Sequence, residues 1–243
     1  MHSAFENSAA TISGVEACYN AFKRQGKIKN HVNFVAFGGD GGTYDIGMQS
    51  LSGALERGHD FLYVCYDNEA YMNTGIQRSS ATPFGAATTT SPAGKVIPGK
   101  MQKRKDLAKI CAAHNIPYVA QASLSNLMDL SKKAEKAFSI RGPKVIIVLS
   151  PCNPGWKTAT DNMVELSRLA VDTCFWPLFE IEDGYKYKIN YTPKEKKPIT
   201  DWMKPQGRFK HLFKPGNEYM LEEAQKQVDE EWNKLLLLEG MTK

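Results

Sequence analysis

Short apolar runs alternate with amphipathic stretches along most of this sequence, and that alternation limits the fold more than any other feature. The runs are Val32-Asn33-Phe34-Val35-Ala36-Phe37, Phe61-Leu62-Tyr63-Val64-Cys65-Tyr66, residues 117–121 and Lys144-Val145-Ile146-Ile147-Val148-Leu149. They have strand length and stop at glycine, proline or polar residues. Helices are expected at 8–23, 45–57, 103–114, 125–139 and 161–173, the first carrying Ala9, Ile12, Val15, Ala17, Tyr19 and Phe22 along one face. Strands separated by helices call for an α/β fold, a mostly parallel sheet with helices on both faces and ligands at the carboxyl ends of its strands. The last quarter departs from the alternation. Phe179-Glu180-Ile181 and residues 185–189 read as a hairpin across Asp183-Gly184, a Lys/Pro-rich stretch covers 193–216, and 218–239 reads as a helical arm. The chain is thus expected to divide into an α/β domain over 1–178 and a C-terminal hairpin, basic segment and arm over 179–243.

Composition narrows the class. With 243 residues, 42% apolar and 23% charged, the chain can bury a real core, and no apolar run approaches the roughly 18 residues of a membrane span. Its opening, Met1-His2-Ser3-Ala4-Phe5-Glu6-Asn7, has neither the basic nor the apolar part of a secretory signal, so a cytoplasmic location is expected. The five cysteines are widely spaced without a Cys-x-x-Cys pair, which argues against a disulfide framework; Cys18, Cys65, Cys111 and Cys174 read as packing residues. The net charge of +5 is uneven, since residues 184–216 hold nine Lys/Arg against two acids. That stretch reads either as a solvated surface or as a docking face for an acidic electron carrier, with Lys194, Lys196 and Lys197 as its contacts. No nucleic-acid-binding motif accompanies it.

The sharpest local signal is Gly38-Gly39-Asp40-Gly41-Gly42, directly after one strand and before a helix. Glycines there admit an anion close to the backbone, and the helix start offers free N–H groups, so a cofactor's diphosphate would suit the place as well as an ordinary tight turn would. After the next strand comes Asp67-Asn68-Glu69-Ala70, opening a Gly/Ser/Thr/Pro-rich segment over 67–102 of the kind that is usually functional. One helix and one strand separate Asp40 from Asn68, which returns both to the same end of adjacent parallel strands. The Asp40 carboxylate, the Asn68 side-chain carbonyl and the Ala70 backbone carbonyl make a hard-oxygen set for Mg2+, leaving positions for diphosphate oxygens and water.

Gly-Asp-Gly followed by that asparagine resembles the thiamine diphosphate binding motif. Phe5-Glu6-Asn7, Gly38 through Thr43, Tyr66 through Ser80, Ala81-Thr82-Pro83-Phe84-Gly85 and Gln206-Gly207-Arg208-Phe209 resemble the beta subunits of pyruvate:ferredoxin oxidoreductases, from the first residues to about 213. The resemblance implies that Asp40, Asn68 and Ala70 hold Mg2+ and that Gly39, Asp40, Gly41, Gly42, Asn68, Ala70, Asn73 and Thr74 bind thiamine diphosphate. It implies that Asn73 is the catalytic side chain near the reacting carbon. By the residues alone Asn73-Thr74-Gly75 is equally a turn, and Gln77 and Arg78 are either lining or solvated.

The implied reaction is oxidative decarboxylation of pyruvate with coenzyme A to acetyl-CoA and CO2, electrons passing through iron–sulfur clusters to ferredoxin, or the reverse; other 2-oxoacids stay open. A different subunit is implied to supply the activating glutamate, so the chain is expected to act only with partner subunits. Glu6 and Glu69 are the local acids if it does not, and each otherwise reads as a surface or capping residue. The resembling subunits carry an N-terminal region with cysteines for a four-iron, four-sulfur cluster, and this chain begins after it. Cys152, in Ser150-Pro151-Cys152-Asn153-Pro154-Gly155-Trp156, is the one match to a cluster ligand, and one thiolate cannot hold a cluster. A thiamine-dependent decarboxylase or acyl-transfer subunit without iron–sulfur chemistry, or a non-catalytic interaction module, are the alternatives.

Overall fold

The β-branched and aromatic runs pair into a single six-stranded sheet in the computed structural model, which describes residues 1–242. The chain runs α1 (Ser8–Arg24), β1 (Val35–Gly39), a π-helical turn (Gly41–Asp45), α2 (Met48–Glu56), β2 (Leu62–Asp67), α3 (Leu107–Ala112), β3 (Tyr118–Ser123), α4 (Leu127–Ser139), β4 (Lys144–Leu149), α5 (Asn153–Trp156), α6 (Met163–Asp172), β5 (Phe179–Glu182), β6 (Lys186–Ile189), α7 (Ile199–Met203) and α8 (Glu218–Met241). Short 3-10 turns occupy Thr160–Asn162 and Gly207–Phe213.

The strand order is β1-β2-β4-β3-β5-β6, with the first four parallel and the last two antiparallel. Helical crossovers explain the parallel part, because a strand must return over the sheet before pairing in the same direction. β4 lies in the middle and is buried at every position, as its unbroken apolar run requires. Alternate residues serve opposite faces. Ala36, Tyr63, Cys65, Val145, Ile147 and Val119 join the larger core with Leu51 and Leu55 of α2, Leu107 and Cys111 of α3 and Leu166 of α6. Leu62, Ile146, Val148, Tyr118 and Ala120 pack beneath Ala137 of α4. The hairpin turns at Asp183 and Gly184, whose φ values of 53° and 81° are those the primed hairpin turns need. β5 and β6 continue the same sheet past residue 178, and α8 adds Met220, Val228, Trp232 and Leu235 to the larger core.

Several boundaries differ from expectation for physical reasons. β1 extends through Gly38 and Gly39, which pair with Cys65 and Tyr66, so two of the expected loop glycines are strand residues. The helix expected at 103–114 starts at Leu107, because the Asp106 carboxylate accepts the Lys109 N–H at 3.0 Å and caps it there. Cys65, Cys111 and Cys174 are buried, whereas Cys18 is exposed, contrary to its reading as a packing residue. α1 turns Ala9, Ser13 and Glu16 inward, and Cys18 lies off that line. Among the described residues, no helix is long and apolar enough to cross a membrane.

Candidate functional site

Parallel register decides what meets at the sheet's carboxyl edge. Gly39 lies beside Tyr66, and Asp67 beside Leu149, so Asp40 and Asn68 leave neighbouring strand ends together. Asp40 is buried; its Oδ1 accepts the Asn68 N–H at 3.4 Å and its Oδ2 accepts the Ser79 hydroxyl at 2.5 Å. The outer end of the Asn68 amide lies 2.8 Å from both Asp40 Oδ1 and the Ala70 carbonyl oxygen. With the amide NH2 turned there, two hydrogen bonds form. With the amide oxygen turned there, three oxygens face one another, which is repulsive unless a cation sits among them. Neighbouring oxygens around Mg2+ at about 2.1 Å lie about 3 Å apart, so the observed spacing fits such an ion.

Electrostatics favour the same conclusion. Burial pushes the Asp40 carboxyl well above its ordinary range and the nearby Asp67 charge adds to it, while Ser79 and the Asn68 N–H pull it down. The two guanidinium groups at hand are both engaged elsewhere. Arg104 bonds Asp67 Oδ2 at 2.7 Å, Glu69 Oε1 at 3.2 Å and the Tyr44 hydroxyl at 3.0 Å; Arg208 bonds Glu69 Oε2 at 2.5 Å. Among the described residues Asp40 forms no ion pair with a basic side chain, so a bound divalent ion would supply its counter-charge. No three His, Cys, Asp or Glu side chains form a metal site among those residues; the donors here are one carboxylate, one amide and one backbone carbonyl.

Close packing requires glycine at position 41 and leaves little room at 42 and 39. A Cβ on Gly41 would lie 2.3 Å from the Tyr71 ring, whose hydroxyl donates to the Gly41 carbonyl at 2.8 Å, and one on Gly42 would lie 3.0 Å from the Phe5 carbonyl oxygen. A Cβ on Gly39 would lie 3.3 Å from the Tyr66 ring. Gly41 and Gly42 therefore open the π-helical turn with Tyr71 lying directly against it.

The remaining expected residues spread outward. Asn73 and Thr74 are exposed on a turn closed by antiparallel pairing of Tyr71 with Gln77; Thr74 Oγ1 donates to Gln77 Oε1 at 2.5 Å, and Arg78 is exposed. Glu6 is half-buried. Glu69, expected at the surface or as a cap, is instead fully buried, because two arginines distant in sequence enclose its carboxylate. Cys152 is half-buried just past β4, and Trp156, one short helix on, donates its indole N–H to the Asn68 carbonyl at 2.9 Å. Ser79, Arg104, Trp156 and Arg208 thus support the site without having been singled out for it; Ser79 and Arg208 lie within the motifs of the resemblance. In the basic stretch, Lys196 pairs with Asp229 and Lys197 with Asp172, leaving Lys194 exposed.

Comparison with known proteins places this geometry in a family. Residues 1–148 match the family described as thiamine pyrophosphate enzyme, C-terminal TPP binding domain. The chain is 52% identical over 246 residues to the pyruvate synthase subunit PorB of Thermotoga maritima, covering 100% of this chain and 76% of that one. It is 54% identical over 232 residues to PorB of Methanocaldococcus jannaschii, covering 95% and 76%. It is 50% identical over 236 residues to the ketoisovalerate oxidoreductase subunit VorB of Pyrococcus abyssi, covering 96% and 74%. The 2-oxoglutarate:ferredoxin oxidoreductase of Magnetococcus marinus shares the fold with a TM-score of 0.51 at 18% identity, over 68% of this chain and 58% of that one. With the aligned strand ends and the family match in agreement, the chain belongs to the thiamine diphosphate-binding PorB/VorB subunits of the 2-oxoacid:ferredoxin oxidoreductases.

Proposed function

We propose that this chain holds thiamine diphosphate through Mg2+ and, with partner subunits, carries out oxidative decarboxylation of pyruvate or a close 2-oxoacid with coenzyme A, electrons passing to ferredoxin, or the reverse. The observation that carries the proposal is that Asp40 Oδ1 and the Ala70 carbonyl oxygen each lie 2.8 Å from the outer end of the Asn68 amide, at the sheet's carboxyl edge. When bound, the cofactor's thiazolium accepts the electron pair released at the carbon that loses CO2. Asp40 and Asn68 offer side-chain oxygens to the metal, and Ala70 offers its carbonyl. Ser79 occupies Asp40 Oδ2, which leaves Oδ1 as the oxygen turned toward Asn68.

The exposed turn carrying Asn73 and Thr74 provides polar groups toward the substrate, with Asn73 as the catalytic side chain. Glu69 is an unsuitable activating acid, because both its oxygens are bound to arginine; the activating glutamate comes from a partner subunit. Cys152, at the same edge of the sheet, is placed to serve as one iron–sulfur ligand where the remaining thiolates are supplied from elsewhere. Residues 1–178 carry the cofactor-binding part, and 179–243 brace it.

Asp40→Ala tests the reading. Added Mg2+ and thiamine diphosphate are expected to raise the melting temperature of the wild-type chain in its assembled complex, as any ligand of the folded state does, and to leave the variant's unchanged. An equal rise in both would overturn the assignment of Asp40.

A further inference from the structure

Resting on that reading, we infer that Glu69 is the positioning residue of the metal site and that Arg208 makes the C-terminal segment part of it. Glu69 stands between the two loop residues proposed to hold the ion, Asn68 and Ala70. Its φ of 70° lies in the left-handed region, which a residue with a side chain adopts only when its surroundings enforce it. All four of its polar anchors are bound. The N–H donates to Asp67 Oδ1 at 3.1 Å, the carbonyl accepts the Thr82 hydroxyl at 2.6 Å, Oε1 accepts from Arg104 at 3.2 Å and Oε2 from Arg208 at 2.5 Å. The reversal at Glu69 brings the Ala70 carbonyl oxygen back to 2.8 Å from the end of the Asn68 amide.

The clamp is itself held. Arg208 lies over the Trp156 ring at 4.0 Å, and its Nε donates to Gln206 Oε1 at 2.8 Å. Trp156 in turn gives its indole N–H to the Asn68 carbonyl at 2.9 Å. Arg104 lies over the Trp176 ring at 4.7 Å. The backbone carbonyls of Asn68 and Glu69 are thereby taken by protein donors, and the next carbonyl, that of Ala70, is the one turned toward Asp40 and Asn68. A planar guanidinium suits this place because it can stack on an indole while donating in its own plane; an ammonium has no such geometry.

The test compares Glu69→Gln, Arg208→Lys and a control, Glu180→Gln, in the full chain within its assembled complex. Glu180 is also buried and multiply bonded, by Tyr118, Lys136 and Asn190, but it lies on β5, away from the loop. The measurement is the Mg2+ concentration that half-completes the melting-temperature rise at fixed thiamine diphosphate, with kcat at saturating Mg2+ as a second readout. Loss of an outer partner of a metal ligand typically weakens the metal about 10- to 100-fold. Glu69 and Arg208 act one contact further out, through the loop backbone and Trp156, so a shift at the lower end, about 10-fold, is expected for Glu69→Gln and Arg208→Lys, with kcat recovering at saturation. Glu180→Gln is expected to lower the melting temperature of the unliganded protein while leaving the Mg2+ midpoint in place. If Glu69→Gln does not fold, Arg208→Lys, which keeps its positive charge, decides alone. An unmoved midpoint in the folded variants, or an equal shift in Glu180→Gln, overturns the inference. Failure of the wild type to take up Mg2+ and cofactor would instead overturn the functional reading on which it rests.

Discussion

Burial and hydrogen bonding compete at Glu180. Burial pushes its carboxyl up, but hydrogen bonds from Tyr118 at 2.6 Å, Asn190 at 2.9 Å and Lys136 at 3.1 Å, with the Lys136 charge, outweigh it and hold the group at about 2, below its ordinary 4.5. A carboxyl depressed in the folded state binds fewer protons there than in the unfolded chain. Its stabilisation is therefore complete above pH 4.5 and is lost as the pH falls toward 2. Urea unfolding between these limits should show a loss of about 2 kcal/mol that Glu180→Gln removes, the figure being discounted for solvent near the sheet edge. A variant that keeps the wild-type slope would show that the acid loss arises elsewhere. The same competition explains which site residues were legible in the sequence. Asp40 and Asn68 each follow an apolar strand run, and parallel neighbours end together, so their meeting can be read directly. Glu69 reads as one more acid in a polar loop, since the arginines that bury it come from 35 and 139 positions further on.

At the scale of elements, the runs of Val, Ile, Leu and aromatic residues marked each parallel strand correctly, but the ends followed tertiary contacts. Arg104 shows why. Its segment has helical periodicity, yet the backbone stays out of helix until Asp106, and from there Arg104 reaches back to Tyr44, Asp67 and Glu69. The glycines of β1 teach a related lesson. Gly38 looks like part of a loop, but it is a strand residue without room for a side chain: a Cβ there would lie 2.1 Å from the Tyr63 hydroxyl oxygen and 2.8 Å from Thr43 Oγ1. Gly38→Ala should therefore cost about 1–3 kcal/mol in denaturant unfolding, the usual penalty for overpacking. Adding Tyr63→Phe removes the nearest atom but leaves ring carbon Cζ at 2.9 Å, so the pair should recover only part of the loss. No loss in the single variant would mean that β1 and β2 can separate more easily than their register suggests.

For the whole molecule, the question is how firmly the C-terminal arm is joined to the sheet whose edge forms the site. α8 has 24 residues, and helices of its length draw most of their stability from an apolar face packed on something else. That face, Met220, Ala224, Val228, Trp232 and Leu235, enters the same core as the strands, beside a cavity of about 220 Å³ bordered by Phe175, Trp176 and Trp202. Polar ties reinforce it along its length: Gln225 Oε1 accepts the Ile199 N–H at 2.8 Å, Lys109 bonds Glu231 at 3.1 Å, and Glu239 Oε1 accepts the Ile189 N–H at 3.0 Å. Part of the basic stretch's charge is used internally in the same way, at Lys196 and Lys197. One continuous core predicts one cooperative transition, so backbone amides around Val228 and Trp232 should exchange with solvent only through global unfolding, at the same rate as those of β4. Trp232→Ala should then lower the protection of both together, by about 3 kcal/mol, because the loss of a large buried ring is felt by the whole unit. If α8 amides exchange orders of magnitude faster than those of β4, or if the variant loosens α8 alone, the arm is a separately folding attachment, and Arg208, which lies between the sheet and α8 in sequence, would be held to the metal loop by its own contacts alone.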